Sequence, residues 1–403
     1  MSKPLEGIKV VEVAMWAFVP ACGGMLSDLG AEVIKIEPPT GDPLRGLSIG
    51  AIGGGNRIDL SWESYNRGKK SVTLDLKQPE GREVLAKLLV DADIFLTNLL
   101  PPARKAMGID ADTIRGQFPK IIYASGSPTG PKGPDSAKGG YDSISFWARG
   151  GVSSSLTEDD ADYPVGPPGP AFGDTLSGSM LCGAICAALA KRAMTGEPST
   201  VDVSLLGTAM WSMQRFIAQS TMDGTQKFPR PKAPKPYNVL VGNYRTSDDR
   251  FVSLCMLQAD KYWKGFCEVS GKPEWVSDPR YVDAKARAAN VDECYADVKA
   301  LFASKTLAEW KDLLGRQDGQ WDPVQDVGEL QHDVQVKANN FVQTVDYGDG
   351  TTIPLVAVPY VFDGEPMPAR RSPELGADSD SVLASLGYDD EAIIDLKVKG
   401  VVF

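Results

Sequence analysis

Ile8-Lys9-Val10-Val11-Glu12-Val13, a helically spaced run from Pro20 to Leu29 that stops at Gly30, and Glu32-Val33-Ile34-Lys35-Ile36-Glu37 read in order as strand, helix and strand. The connection is long enough for a crossover, so the two strands form a parallel βαβ unit. The alternation continues downstream. Ser71-Val72-Thr73-Leu74-Asp75-Leu76 reads as a strand and Pro79 to Val90 as a helix with proline in its first turn. Ile94 to Thr97 and Ile121-Ile122-Tyr123-Ala124-Ser125 are two further strands. Strands alternating with helices predict an α/β fold whose mostly parallel sheet is covered on both faces.

A proline- and lysine-rich stretch, Thr225 to Pro236, reads as a linker. Beyond it Arg250-Phe251-Val252-Ser253-Leu254-Cys255-Met256 reads as a strand, followed by amphipathic helices near Lys261 to Val269, Asp292 to Phe302 and Leu307 to Leu314. This is the pattern of a smaller α+β domain. From Thr351 the tail has short extended runs and then a final helix.

The chain has 403 residues, 42% hydrophobic and 24% charged, enough for two or three domains' worth of core. Its net charge of −11, with no long basic run, argues against nucleic acid or an anionic membrane as partner. The six cysteines (Cys22, Cys182, Cys186, Cys255, Cys267, Cys294) form no C-x-x-C pair, so they read as core thiols and no metal site is expected. The polar opening Met1-Ser2-Lys3-Pro4-Leu5-Glu6-Gly7 does not fit a signal peptide, and no run approaches 18 apolar residues. A cytoplasmic protein with reduced cysteines is the expectation.

A dinucleotide-binding reading rests on Glu37, placed where nicotinamide enzymes carry a ribose-binding acid. It fails at the first turn, Ala14-Met15-Trp16-Ala17-Phe18-Val19-Pro20, which lacks G-x-G-x-x-G and fills with bulky side chains the place a pyrophosphate needs. NAD is therefore not expected. The single histidine, His332, lies in the polar stretch Glu329-Leu330-Gln331-His332-Asp333 and reads as a surface residue, which leaves nucleophilic and acid–base work to carboxylates.

Among the carboxylates, Asp174 in Pro170-Ala171-Phe172-Gly173-Asp174-Thr175-Leu176-Ser177-Gly178 ends a glycine- and proline-rich loop and opens an apolar helix running to Met194. Two readings stand at this position: an N-cap accepting an orphan backbone N–H, and a nucleophile that the helix N-terminus keeps ionised, with about 0.3–1 kcal/mol of dipole stabilisation. Small residues recur along that helix at three- and four-residue spacing, which lets another helix approach closely.

Several phrases together resemble the class III coenzyme A transferases, a family that also holds the α-methylacyl-CoA racemases. They are Pro4-Leu5-Glu6-Gly7-Ile8-Lys9-Val10-Val11-Glu12, Leu29-Gly30-Ala31-Glu32-Val33-Ile34-Lys35-Ile36-Glu37-Pro38-Pro39 with Gly41-Asp42-Pro43, and Asn66-Arg67-Gly68-Lys69-Lys70-Ser71-Val72-Thr73-Leu74-Asp75-Leu76-Lys77. Ala92-Asp93 through Asn98, Gly139-Gly140-Tyr141-Asp142, Gly173-Asp174, Val201-Asp202-Val203-Ser204-Leu205-Leu206 and Asp278-Pro279-Arg280-Tyr281 add to them. The resemblance implies an interlocked homodimer with a Rossmann-like large domain, residues 1–224 completed by 330–403, and a small α+β domain with its linkers, residues 225–329.

It also implies an acyl-CoA:carboxylate CoA-transferase in which Asp174 is the nucleophile, passing through an aspartyl anhydride and an aspartyl-CoA thioester. Coenzyme A and its acyl thioester are then co-substrates and a carboxylic acid the acceptor, with no metal. Leu74, Asp75 and Lys77, and the loop Asn98-Leu99-Leu100, match segments bordering the nucleotide and pantetheine. Ala17 and Phe18 fall where formyl-CoA transferases carry Gln-Ala beside the thioester, a departure that points to a more apolar pocket than oxalate needs. The family's arginines fall on Pro38 and Ala106, leaving Arg104, Lys105, Lys77 or Lys138 for the phosphates. In the racemases a histidine stands at the position of Tyr141, and a phenol is a poor base at neutral pH. A racemase is the alternative, as is one subunit of a heteromeric transferase.

Overall fold

The computed structural model describes residues 3–47, 58–232, 236–348 and 350–403. Met1 and Ser2, read above for a leader, and residues 233–235 of the proline- and lysine-rich stretch lie outside the described residues. Two compact units are present: Met1–Pro229 with Gln335–Phe403, and Arg230–Val334.

In the first unit the elements run β1 (Lys9–Val13), α1 (Phe18–Asp28), β2 (Glu32–Glu37), α2 (Leu60–Asn66), β3 (Lys70–Thr73), α3 (Pro79–Leu89), β4 (Ile94–Thr97), α4 (Pro101–Met107), α5 (Ala111–Gln117) and β5 (Ile122–Ser127). A π-helical turn (Ser143–Ala148) then precedes α6 (Val152–Leu156), α7 (Phe172–Thr195), β6 (Thr200–Ser204), α8 (Leu205–Ser212) and α9 (Gln214–Asp223). The six strands form one parallel sheet in the order β3-β2-β1-β4-β5-β6. Strand order therefore reverses between β1 and β4, and the crevice beyond their carboxyl ends is the topological switch point where doubly wound proteins bind ligands.

Alternation along each strand sends side chains to two cores. Val10, Ile94 and Ile122 face one core, with α1, α7 and α8. Val11, Phe95 and Tyr123 face the other, with α3 and the C-terminal helices (Ser379–Ser385, Asp390–Val398). The C-terminal segment is tied to β3: Asp378 accepts from the Ser71 N–H at 2.8 Å, and Thr73 Oγ1 donates to the Phe403 carbonyl at 2.6 Å.

By length and mean hydropathy α7 qualifies as a bilayer span, although the sequence showed no such run. Here its inner face packs on α1. A Cβ on Gly178 would stand 2.9 Å from both the Phe18 carbonyl oxygen and Ala21 Cβ, so the close helix approach read from the small residues is realised.

The second unit holds an antiparallel sheet of β7 (Val241–Arg245), β8 (Phe251–Cys255) and β9 (Trp321–Pro323). Helices Ala259–Val269, Val291–Phe302 and Leu307–Leu314 pack on it around buried Trp263, Phe266, Phe302 and Trp310. It is a compact α+β body.

Candidate active site

The loops after the sheet's strands and the loop before α7 converge at the switch point. The loop after β1 is bent at Trp16, whose φ of +68° is a left-handed conformation that a bulky residue rarely adopts. Main-chain contacts hold it there. Asn98, just past β4, accepts from the Met15 N–H at 3.0 Å and donates to the Met15 carbonyl at 2.6 Å. Asp42 accepts from the Trp16 N–H at 3.0 Å.

Beneath the loop lies a charge cluster closed to solvent. Lys35 Nζ reaches the Ala14 carbonyl at 2.7 Å, Asp42 at 2.9 Å and Glu12 at 3.1 Å. Lys69 Nζ contacts Glu12 at 2.8 Å, and Asn66 and the Pro20 carbonyl at 2.9 Å. Burial brings the Lys69 ammonium down to about 8. Glu37, the residue on which the dinucleotide reading rested, is bound to Arg45 and Ser71 and belongs to the same interior network.

Asp174 differs from the cap it was read as. α7 begins at Phe172, behind Ala171 in a left-handed conformation (φ +57°), so Asp174 stands third in the helix. The cap comes from Asp142, 31 residues upstream, whose Oδ2 accepts from the Gly173 N–H at 3.2 Å. Gly173 is required at this spot because a Cβ would lie 2.3 Å from Asp142 Oδ1. Among the described residues, no hydrogen bond or ion pair engages the Asp174 carboxylate.

The expectation that the helix terminus keeps Asp174 ionised is also corrected. Burial first, and then the neighbouring Asp142 carboxylate, push Asp174 up to about 7. Both effects disfavour the charged form, and together they outweigh the helix dipole.

Three clefts of unit 1 meet around this point. The first, about 220 Å³, is lined by Met15, Trp16, Phe18, Asn98, Leu99, Leu100, Gly139, Gly140, Tyr141 and Asp174 among others. The second, about 310 Å³, is lined by Trp16, Ala17, Leu44, Leu47, Tyr65, Tyr141, Asp142, Pro167, Pro170 and Asp174 among others. The third, about 110 Å³, lies over the ends of β2 and β3 and takes in Leu74, Asp75, Lys77 and Leu99. Met15 and Leu99 line both the first and the third, joining the strand ends to Asp174.

Ala17, Phe18, Leu74, Asp75, Lys77, Asn98, Leu99, Leu100, Tyr141 and Asp174 thus share one connected region. Arg104, Lys105 and Lys138 are not among the residues lining these clefts. Arg104 turns onto Tyr123, its Nη1 3.3 Å from the hydroxyl. Trp16, Tyr65 and Asp142 were not picked out as site residues. Trp16 meets Tyr141 edge to face, ring centroids 5.5 Å apart, in a pair that walls the first cleft from the second. Tyr141 carried the only local signal for that pair. Asp142 had a signal too, standing in the same quoted phrase, but its partner is remote in sequence.

Fold and crevice define a doubly wound α/β enzyme. The model of CoA-transferase family III matches residues 5–379, and the chain belongs to that family. It is 36% identical over 405 residues to the (R)-2-hydroxy-4-methylpentanoate CoA-transferase of Clostridioides difficile, covering 99% of each chain. It is 33% identical to the cinnamoyl-CoA:phenyllactate CoA-transferase of Clostridium sporogenes, covering 97% of this chain and 95% of that one. The crystal structure of a CAIB/BAIF family protein from Brucella suis superposes with a TM-score of 0.80 at 27% identity, covering 96% of this chain and all of that one. Class III transferases act on an acyl-CoA thioester and a carboxylate, and this chain is an enzyme of that class.

Proposed function

We propose that Asp174 carries coenzyme A between carboxylic acids as a covalent nucleophile. The observation behind this reading is that its carboxylate opens onto two clefts with no partner among the described residues, because Asp142 has taken over the cap. In the first half-reaction an Asp174 oxygen attacks the thioester carbonyl, the C–S bond breaks, and thiolate leaves a mixed anhydride. The thiolate then attacks the Asp174 acyl carbon and expels the donor acid as carboxylate, giving aspartyl-CoA. The acceptor carboxylate runs the same two steps in reverse and restores Asp174. No net proton is needed. A carboxylate suits this exchange because anhydride and thioester are close enough in energy for both directions to proceed.

Burial of the nucleophile beside Asp142 favours acylation as well. Converting an ionised Asp174 to a neutral anhydride removes the repulsion between the two carboxylates. The groove from Lys77 past Leu99 and Asn98 to Asp174 suits the pantetheine arm, with Lys77 at its outer end. Backbone N–H groups of the glycine-bearing loop before α7 are the donors for the tetrahedral oxyanion, where losing one donor typically costs about 2.7–4 kcal/mol.

The second cleft, walled by Trp16, Leu44, Leu47, Pro167 and Pro170, suits an apolar acyl chain. With relatives that act on 2-hydroxy-4-methylpentanoate and phenyllactate, this supports an apolar 2-hydroxy acid as acceptor. The exposed Met180, Met210, Trp211, Phe216 and Met222 of α7 to α9 support the interlocked homodimer. Intact-mass analysis after incubation with 2-hydroxy-4-methylpentanoyl-CoA tests the nucleophile. Wild type gains a hydroxylamine-sensitive coenzyme A adduct and Asp174→Asn does not; equal behaviour of the two, with turnover intact, refutes the assignment.

A further inference from the structure

Tyr65 lies in the last turn of α2, and nothing in the transfer steps above uses it. Its ring lines the second cleft with Asp174 and Asp142, and its hydroxyl comes 3.4 Å from Oγ1 of Thr175, the residue after the nucleophile. That contact does not occupy the phenol's proton well. Thr175 gives its own proton to the Ala171 carbonyl at 2.9 Å, and 3.4 Å is at the outer limit for a hydrogen bond. Among the described residues the phenol has no closer acceptor. It is a half-buried donor standing beside the reacting carboxylate with its hydrogen uncommitted.

The backbone holds it in place. Asp59 caps α2 through the Ser61 and Trp62 N–H groups at 3.0 Å. The Tyr65 carbonyl lies so close over α1 that a Cβ on Gly24 would stand 3.0 Å from it. The next residue, Asn66, is fixed by Lys69 at 2.9 Å. Burial and the two neighbouring carboxylates also push the phenol's pKa up, so it remains a donor across the working range. The chamber has apolar walls but also presents Ser61, Ser143 and Tyr141; what sets Tyr65 apart is its contact with Thr175, next to the nucleophile, which gives it the character of a specificity contact.

We propose that Tyr65 is the specificity residue that reads the acceptor's 2-hydroxyl, its phenol donating to the hydroxyl oxygen while the acid's carboxylate lies against Asp174. This rests on the reading of Asp174 as nucleophile and of a 2-hydroxy acid as acceptor. Tyr65 and Asp174 line the same cleft, and its apolar walls remain for the side chain.

The test compares (R)-2-hydroxy-4-methylpentanoate with 4-methylpentanoate as acceptors from one acyl-CoA donor, for wild type and Tyr65→Phe. Removing only the O–H is expected to lower kcat/KM for the hydroxy acid about tenfold to a hundredfold, the usual cost of leaving a buried polar group unpaired. For the deoxy acid the change is expected to stay within about twofold, since that acid never used the contact. Equal losses on both acids, or none on either, overturn the proposal. An adduct on wild-type Asp174 with discrimination unchanged in Tyr65→Phe overturns the proposal alone. Absence of any adduct or transfer in wild type removes the nucleophile reading and this proposal with it.

Discussion

Replacing Asp142 by asparagine separates its two tasks. Asparagine keeps an oxygen to accept from the Gly173 N–H, so α7 retains its cap, but the negative charge beside Asp174 is gone. Asp174 stands at about 7 against an ordinary 3.8, with burial the larger cause and Asp142 the smaller. Asp142 therefore accounts for less than half of the rise, and about one unit is the expected drop in Asp142→Asn. At pH 6 the ionised fraction of Asp174 then goes from about a tenth to about a half, so kcat/KM rises about fivefold there. At pH 8 both forms are almost fully ionised and the two enzymes differ little, apart from a weaker nucleophile in the variant. The assay is a pH profile of kcat/KM between pH 5 and 9 with one donor and one acceptor. An acid limb that stays in place, or moves to higher pH, refutes the coupling of the two carboxylates.

The same shift makes a statement about folding. Because the folded-state value of Asp174 lies above the unfolded one, the native chain holds a proton that the unfolded chain has lost between about pH 4 and 7, and stability falls as pH rises through that window. Asp174→Asn does not titrate, so it is expected to be more stable than wild type at pH 8, by at most about 4 kcal/mol, with the gap closing towards pH 4; urea denaturation at the two pH values measures it. Lys35→Met leaves Glu12 and Asp42 short of a countercharge in a region closed to solvent, with an expected loss of about 3–5 kcal/mol in the same measurement. A loss under about 1 kcal/mol would refute this reading, because Lys69 contacts Glu12 but not Asp42.

The fold was legible wherever burial and periodicity coincide. Glu32–Glu37, Ile94–Thr97 and Leu307–Leu314 begin and end where their sequence patterns do. β3 stops at Thr73 rather than Leu76, because Asp75 turns the chain: its side chain accepts from the Lys77 N–H at 3.0 Å ahead of α3. β6 was not read as a strand, because Thr200–Ser204 sits at a half-exposed sheet edge and alternates polar with apolar residues over only five positions. At the site, Asp174 was legible as a position but not as an environment. Its cap, its repelling neighbour and the left-handed turn at Trp16 all come from residues distant in sequence, and Trp16 has no glycine to announce its conformation. Lys35 in β2 and Lys69 just before β3 show the same limit, since a lysine reads as solvated until its buried carboxylates are found.

The loop after β1 is gripped through the Ala14 carbonyl, the Met15 N–H and carbonyl, and the Trp16 N–H, all main-chain atoms. None of these anchors depends on which side chains the loop carries. Trp16 and Ala17 line the clefts, yet each can be exchanged without releasing the backbone that presents it, whereas Phe18 opens α1 and is also part of the core. A laboratory library confined to the codons of Trp16 and Ala17 would therefore sample acceptor preference on an unchanged scaffold.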